Sequence, residues 1–163
     1  MTKNTSQEKL WFLDALVTIR VSERDSDDGL SVIEYHAPFG SSPPLHVHHN
    51  EDEVFHLLSG EARFSLAGQD IAAVAGDTLL APKGVPHTFL VTSPEGARWL
   101  TVTGNGDLER MLRAIARSAE ANTLPPRLPP TAEQAAALEA ACRAHGIALV
   151  GPPLAATPGP ARC

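Results

Sequence analysis

The sequence predicts an all-β fold, an antiparallel sandwich or barrel, with helices at its C-terminal end. Between Trp11 and about Thr103, short segments of apolar and polar residues are separated by turns rich in glycine and proline. Many short strands at near-regular spacing are typical of antiparallel β architectures. After Gly104 the apolar residues recur at helical spacing instead. The length of 163 residues, 43% of them hydrophobic, fits one domain with its own core and short extensions.

The strands are predicted from alternation and from the turns that bound them. Residues 16–21 (LVTIRV) alternate apolar and polar side chains, as a half-buried strand does. A polar turn follows at residues 22–29, and LSVIEYH resumes the strand pattern. Further strands are predicted within EVFHLLSG, ARFSLAGQDIAAVAG, HTFLVT and RWLTVTG. Gly60, Gly68 and Gly76 mark turns between them.

The segment after Gly104 predicts two helices. The first is expected over Asp107–Glu120, with Asp107 as its N-cap. We expect its apolar face to pack against the outside of the barrel; that face comprises Leu108, Met111, Leu112 and Ile115. A second helix follows a proline-rich linker, because Thr131 and Gln134 have the spacing of a capping box.

Gly146 is a natural stop for the second helix, and the following IALV predicts an edge strand or a docking segment. The domain prediction is therefore a β-barrel with an N-terminal strand over 1–104, a helical extension over 105–150 and a disordered tail over 151–163.

Composition excludes several classes of function. The formal net charge is -6 and basic residues are not clustered, so neither nucleic acid nor a membrane surface is expected as a partner. No apolar run approaches the length of a membrane span, and the polar N-terminus does not resemble a signal peptide. We expect a cytoplasmic protein. Cys142 and Cys163 are too few for a disulfide framework and are remote from the histidine-rich segment.

The segment from Gly40 to Gly60 contains four of the seven histidines. In an extended chain, residues two apart share a face, so His46 and His48 point the same way. By the same rule Glu53 shares the inner face of the next strand with Phe55 and Leu57, while His56 points outward. A buried carboxylate needs a partner. Two imidazoles and a carboxylate would form part of a transition-metal site.

Three further polar residues of this segment, His49, Glu51 and Asp52, are interpreted as a solvated loop. A fourth ligand is available in His87, which shares its strand face with Phe89 and Val91. A single histidine on an apolar face is more often a core residue, but three nearby candidates that lack a partner favour a ligand here. The predicted pocket wall is Phe55, Leu57, Phe89 and Val91.

Two spaced motifs carry a family resemblance. One reads Gly40, five residues, His46, one residue, His48, four residues, Glu53, six residues, Gly60; the other reads Gly76, five residues, Pro82, one residue, Gly84, two residues, His87. Together they resemble the two signature motifs of the cupin superfamily. The departure is Val91, where the second motif usually ends in asparagine.

The resemblance implies a jelly-roll β-barrel of six to eight strands with a metal inside, held by His46, His48, Glu53 and His87. The layout is similar to small single-domain bacterial cupins of the quercetin dioxygenase-like group. The expected cofactor is one divalent transition metal ion, since imidazole-rich sites accept Fe, Mn, Ni, Zn, Cu and Co.

Three functional interpretations stay open. The first is a metal-dependent dioxygenase that uses O2 on a small apolar or aromatic enol or phenol, with Glu53 as the catalytic base. The second is another metal-dependent enzyme, an isomerase or decarboxylase. The third is a non-catalytic small-molecule binder or sensor. The expected apolar wall lacks Arg and Lys, which disfavours phosphosugar substrates. A homodimer is also expected, with the strand around Trp11–Val21 adding to the partner's sheet.

Overall fold

The computed structural model describes residues 7–155, which form two antiparallel β-sheets and two α-helices. The strands in chain order are β1 Glu8–Phe12, β2 Ala15–Val21, β3 Ser31–Ala37, β4 Pro44–His48, β5 Glu53–Ser59, β6 Glu61–Leu66, β7 Gln69–Val74, β8 Thr78–Ala81, β9 His87–Val91, β10 Ala97–Thr103, β11 Arg117–Ser118 and β12 Ile147–Pro153. The helices are α1 Asp107–Ile115 and α2 Ala132–Ala144.

The two sheets enclose one apolar core. The seven-stranded sheet has the order β11-β1-β2-β3-β10-β5-β8, and the five-stranded sheet has the order β12-β4-β9-β6-β7. Inward side chains such as Val17, Ile33 and Leu57 of the larger sheet join Phe64 and Val91 of the smaller one in a single buried cluster. The predicted all-β fold with antiparallel sheets and C-terminal helices is therefore confirmed.

The N-terminal strand is a hairpin rather than one strand. β1 and β2 pair antiparallel, and the two residues between them, Leu13 and Asp14, make the turn. Leu13 adopts φ of 53°, a conformation that is unfavourable for a branched residue. Both edges of β1 are occupied within the chain, because β11 pairs with Leu10 and Trp11 on its other side.

Helix α1 differs from its prediction in three ways. It ends at Ile115 rather than Glu120, because Arg117 and Ser118 form β11. Asp107 is not the N-cap; Gly106 occupies that position in the left-handed conformation, with φ of 75°. The helix does not lie on the outside of the barrel, since its Leu108 joins the common core. Leu108 and Met111 of its apolar face instead line the cavity between the sheets, and Leu112 belongs to the same buried cluster.

Helix α2 begins with the predicted capping box. Gln134 N–H donates to Thr131 Oγ1 at 3.2 Å, and Thr131 N–H donates to Gln134 Oε1 at 2.9 Å. Gly146 follows the helix with φ of 69°, where a Cβ would lie 2.3 Å from Asn50 Nδ2. The predicted edge strand is present as β12, which pairs with β4.

Strand β12 continues to Pro153, past the boundary predicted at residue 150, and it belongs to the barrel sheet. The end of the predicted tail, residues 156–163, lies outside the described residues, as does Cys163. Cys142 is a free, buried cysteine. Neither helix in the described part of the chain is long and apolar enough to cross a membrane.

Candidate metal centre

Four side chains from three strands converge at one end of the barrel. His46 and His48 lie on the inner face of β4, and Glu53 and His87 are the first residues of β5 and β9. Strands β4 and β9 pair with His46 opposite His87. One ligand atom from each of the four residues lies within 4.8 Å of the others. The structure thus brings together the four residues that the sequence proposed as ligands.

The Glu53 carboxylate lies against two of the imidazoles. Glu53 Oε2 is 2.9 Å from His87 Nε2 and 3.3 Å from His48 Nε2. Glu53, His48 and His87 are all buried, whereas His46 is half-buried. His56 points away, and its Nδ1 lies 2.8 Å from Thr78 Oγ1 near the surface. The alternation along β5 is therefore as predicted.

Each imidazole has an acceptor beside its Nδ1 atom. His46 Nδ1 lies 2.7 Å from the Pro44 carbonyl oxygen, and His87 Nδ1 lies 3.0 Å from that of Val85. His48 Nδ1 lies 3.3 Å from Glu51 Oε1. An Nδ1–H that donates outward leaves the Nε2 lone pair for a metal, which is the usual arrangement of histidine ligands. Three such imidazoles and one carboxylate fit a divalent transition metal.

The pKa shifts differ among the residues of the cluster. Burial, with a smaller effect of neighbouring His87, lowers the pKa of His46 to about 4, so this ring is neutral at neutral pH. Burial opposes charge on His48 as well, but the carboxylates of Glu53 and Glu51 outweigh it and raise the pKa of His48. Burial would raise the pKa of Glu53, yet the nearby imidazoles lower it to about 2.

Glu51 is the residue of this site that sequence reasoning missed. The sequence predicts a solvated loop here, but the Glu51 side chain is buried at 3% exposure, while His49 and Asp52 are exposed as expected. Its carboxylate accepts hydrogen bonds from the backbone N–H groups of Leu108 and Asp107. These partners lie more than fifty residues away in the chain. No local pattern around Glu51 signals them.

Three of the four candidate ligands, His46, His48 and Glu53, line a cavity with an empty volume of about 740 Å³, open solvent at its mouth included. His87 lies within the cluster but is not among the lining residues. Phe55 and Phe89 line the cavity as predicted. Leu57 and Val91 do not; they are 1% and 0% exposed and belong to the packed core. The further aromatic and aliphatic lining residues are Phe12, Leu13, Tyr35, Trp99, Leu108, Met111, Leu138, Ile147 and Leu149.

The cavity wall is aromatic on one side. Tyr35 stacks on Trp99 with ring centroids 5.3 Å apart, and Phe89 meets Trp99 edge-on at 4.9 Å. Burial and the charge of Glu53 raise the pKa of Tyr35, so its phenol stays neutral. Alternation along β10 could have indicated Trp99, because it shares a face with Thr101 and Thr103. Alternation along β3 could have indicated Tyr35 too, because it shares a face with the buried Ile33 and Ala37.

The same wall contains polar atoms without partners. Within residues 7–155, Trp99 Nε1, Thr101 Oγ1 and Thr103 Oγ1 are buried and have no hydrogen-bond partner. Trp99 and Thr101 line the cavity, and Thr103 pairs opposite Glu53 in the sheet register. Among the described lining residues none is Lys or Arg. The cavity is therefore suited to a mostly apolar molecule with few polar atoms.

Comparison with known proteins agrees with this geometry. Residues 33–103, which contain all four candidate ligands, match the family described as Cupin domain. The chain contains a cupin domain. Helix α1, helix α2 and β12 lie outside the matched cupin residues, although β12 pairs with β4 beside the cluster. The cupin resemblance of the two sequence motifs and the predicted jelly-roll fold are thereby confirmed.

Curated relatives of this cupin chain differ in activity. It is 24% identical to quercetin 2,3-dioxygenase of Bacillus subtilis over 119 residues, 73% of this chain and 35% of that protein. It is 36% identical to an oxalate-binding protein of Thermotoga maritima over 72 residues, 44% of this chain and 50% of that protein. The chain thus spans about a third to a half of the length of these relatives.

Solved structures agree on the fold. A predicted oxalate decarboxylase from Thermotoga maritima matches with a TM-score of 0.55 at 23% identity, covering 64% of this chain and 96% of that one. The polyketide cyclase RemF from Streptomyces resistomycificus matches with a TM-score of 0.55 at 20% identity, covering 64% and 80%. At these identities the likeness shows the cupin fold alone.

Proposed function

We propose that the chain is a metal-dependent dioxygenase of the cupin superfamily that acts on a small aromatic or apolar enol or phenol. The observation that carries the proposal is the position of three imidazoles and one carboxylate beside an aromatic cavity that has no Lys or Arg among its described lining residues. The quercetin 2,3-dioxygenase relative supports the same reaction class at low identity.

The proposed ligands are Nε2 of His46, His48 and His87 and a carboxylate oxygen of Glu53. When bound there, a divalent transition metal supplies a Lewis acid or a redox centre to the reaction. The protein supplies the rest of the chemistry. Phe89 and the stacked Tyr35–Trp99 pair bind a planar ring and exclude water from it.

Glu53 is proposed as the proton acceptor. Its low pKa keeps it ionised at neutral pH, so an acceptor is always present in the site. A substrate hydroxyl within hydrogen-bond reach of Glu53 can transfer its proton to the carboxylate. Because the surroundings are apolar, the carboxylate becomes more basic when it loses its contacts with His48 and His87.

The test is O2 consumption by protein reconstituted with each candidate metal, with flavonols, catechols and β-diketones as substrates. We expect uptake that depends on both metal and substrate. Glu53→Gln should retain some metal, because three imidazoles remain, and lose turnover. The matched control is His56→Ala, an outward residue of the same strand, which should behave as wild type. Full turnover by Glu53→Gln would contradict the role of Glu53 as base.

A second candidate is a metal-assisted binding protein. It is favoured by the oxalate-binding relative, the one with the higher identity of the two described above. The absence of lining Lys and Arg among the described residues weighs against a dianion, since nothing but the metal would neutralise it. Calorimetric titration of the metal-loaded protein with oxalate and with flavonols separates the two functions. Tight binding without O2 uptake would select the binder.

The oligomeric state is proposed as well. The strand around Trp11–Val21, which was expected to add to a partner's sheet, is paired on both sides within the chain. We infer a homodimer through other edges, because the short β11 and the strands β8, β7 and β12 leave sheet edges that another copy can cover. Light scattering at micromolar concentration tests it, and a monomer mass would contradict it.

A further inference from the structure

The carboxylate of Glu51 connects the candidate metal centre to helix α1. Its Oε1 atom lies 3.3 Å from His48 Nδ1 and 2.7 Å from the backbone nitrogen of Leu108. Its Oε2 atom lies 3.2 Å from the backbone nitrogen of Asp107. One buried side chain thus contacts a proposed metal ligand and the first turn of a helix.

The contacts with α1 explain why a carboxylate can be buried at this position. The first N–H groups of a helix have no partner within the helix, and they carry partial positive charge. Gly106, at the N-cap, has no side chain that can accept from them. Glu51 fills that role from a distant segment, and the helix in return offsets the cost of burying its charge.

The contact with His48 has a consequence for the metal centre. A carboxylate that accepts from Nδ1–H holds the imidazole in the tautomer whose Nε2 lone pair points at the cluster. It also fixes the plane of the ring. Without this acceptor, nothing at Nδ1 fixes the ring: a rotation would move Nε2 away from Glu53, and a change of tautomer would place the proton on Nε2. Either change removes the Nε2 lone pair from the metal.

We propose that Glu51 is a positioning residue that fixes His48 as a metal ligand and couples metal binding to the docking of α1. The proposal rests on the proposed metal centre. Helix α1 lies outside the matched cupin residues 33–103, and its Leu108 and Met111 line the cavity. The C-terminal extension is therefore part of the site, as a wall and, through Glu51, as the anchor of a ligand. Because coupling is reciprocal, a metal that orders His48 also stabilises the first turn of α1.

The decisive comparison is Glu51→Gln against Glu109→Gln. Glu109 is also a buried carboxylate that holds α1, with hydrogen bonds from Ser22 Oγ at 2.6 Å and Ser31 Oγ at 2.6 Å. Its hydrogen-bond partners do not include the four candidate ligands. Both variants weaken the anchoring of α1, but only Glu51→Gln replaces the charged acceptor of His48 with a neutral and weaker amide oxygen.

The measurements are the affinity for Zn²⁺, by competition with a chromophoric chelator, and the visible spectrum of the Co²⁺-loaded protein. Glu51→Gln should lower Zn²⁺ affinity about 10- to 100-fold and alter the Co²⁺ spectrum. Glu109→Gln should lower the melting temperature, leave the Co²⁺ spectrum unchanged and lower Zn²⁺ affinity less than Glu51→Gln does, because its carboxylate has no contact with a ligand. Wild-type Zn²⁺ affinity in Glu51→Gln, or an equal loss in Glu109→Gln, would overturn the positioning role.

A second measurement needs no variant. Hydrogen exchange of the Asp107 and Leu108 amides in the wild-type protein should slow when Zn²⁺ is added. Exchange of the Ala135 amide, which donates to Thr131 O in the first turn of α2, should not change. Unchanged exchange in α1 at saturating Zn²⁺ would refute the coupling alone. Failure of the wild-type protein to bind Zn²⁺ or Co²⁺ would overturn the proposed metal centre and this proposal with it.

Discussion

Metal uptake by the cupin site should release a proton from His48, and the amount can be worked out from the structure. In the metal-free protein His48 lies between two carboxylates, with Nδ1 3.3 Å from Glu51 and Nε2 3.3 Å from Glu53. These charges raise the pKa of His48 above the ordinary value of 6.5 despite its burial. A metal that binds Nε2 must displace the proton there.

The number of protons released follows from the direction of the pKa shift of His48. At pH 6 a group whose pKa exceeds 6.5 is at least about three-quarters protonated, so binding of one ion should release at least about 0.75 proton from His48. The His46 ring, whose pKa is about 4, contributes almost none at that pH. Below the pKa of His48, each unit of pH should weaken metal binding about tenfold, or about 1.4 kcal/mol.

Isothermal titration of Zn²⁺ into metal-free protein at pH 6, in two weakly coordinating buffers of different ionisation enthalpy, counts the protons released. Glu53→Gln should release fewer, because Glu53 is the strongest of the charges that raise the pKa of His48. A release below about a tenth of a proton at pH 6 would refute the assignment of His48 Nε2 as a protonated ligand atom.

Three further predictions concern stability and binding. Thr101→Val should raise the free energy of unfolding by about 1–3 kcal/mol, because it removes a buried hydroxyl without a partner, and it should weaken ligand binding. The matched Thr88→Val should lower the free energy of unfolding, because the Thr88 hydroxyl donates a hydrogen bond to a carbonyl. Urea denaturation checks both signs. Leu112→Ala should cost about 2–5 kcal/mol in the same assay, since Leu112 is fully buried where α1 joins the core. The folded-state pKa of His46 is depressed from 6.5 to about 4. Its stabilising contribution is therefore present above pH 6.5 and lost, by about 3 kcal/mol, as the pH falls toward 4. The acid dependence of unfolding of the metal-free protein should be shallower in His46→Gln.

Much of the candidate site could be predicted because the directions of its side chains depend on residues that are near in the chain. Strand alternation alone places Glu53 inward and His56 outward. Spacing places His46 and His48 on one face. The turn before His87 fixes where that residue enters β9. Each inference needs only the period of an extended chain and the cost of burying a charge.

The remaining features depend on contacts between distant segments. Glu51 is buried because its carboxylate accepts hydrogen bonds from the first turn of α1. The residues around Glu51 in the chain give no sign of that helix. The end of α1 is set by pairing of Arg117 and Ser118 with β1, which overrides a helical pattern that continues to Glu120. Leu57 and Val91 share the parity of the lining residues but lie too deep to reach the cavity, and parity does not report depth.

The central claim is that His46, His48, Glu53 and His87 form one metal centre. The most direct measurement is the metal content of protein purified without chelator and then dialysed, compared between wild type, His87→Ala and the control His56→Ala. We predict one transition-metal ion per chain in the wild type and in His56→Ala, with loss of most of the metal in His87→Ala. An unchanged stoichiometry and affinity in His87→Ala would contradict the account.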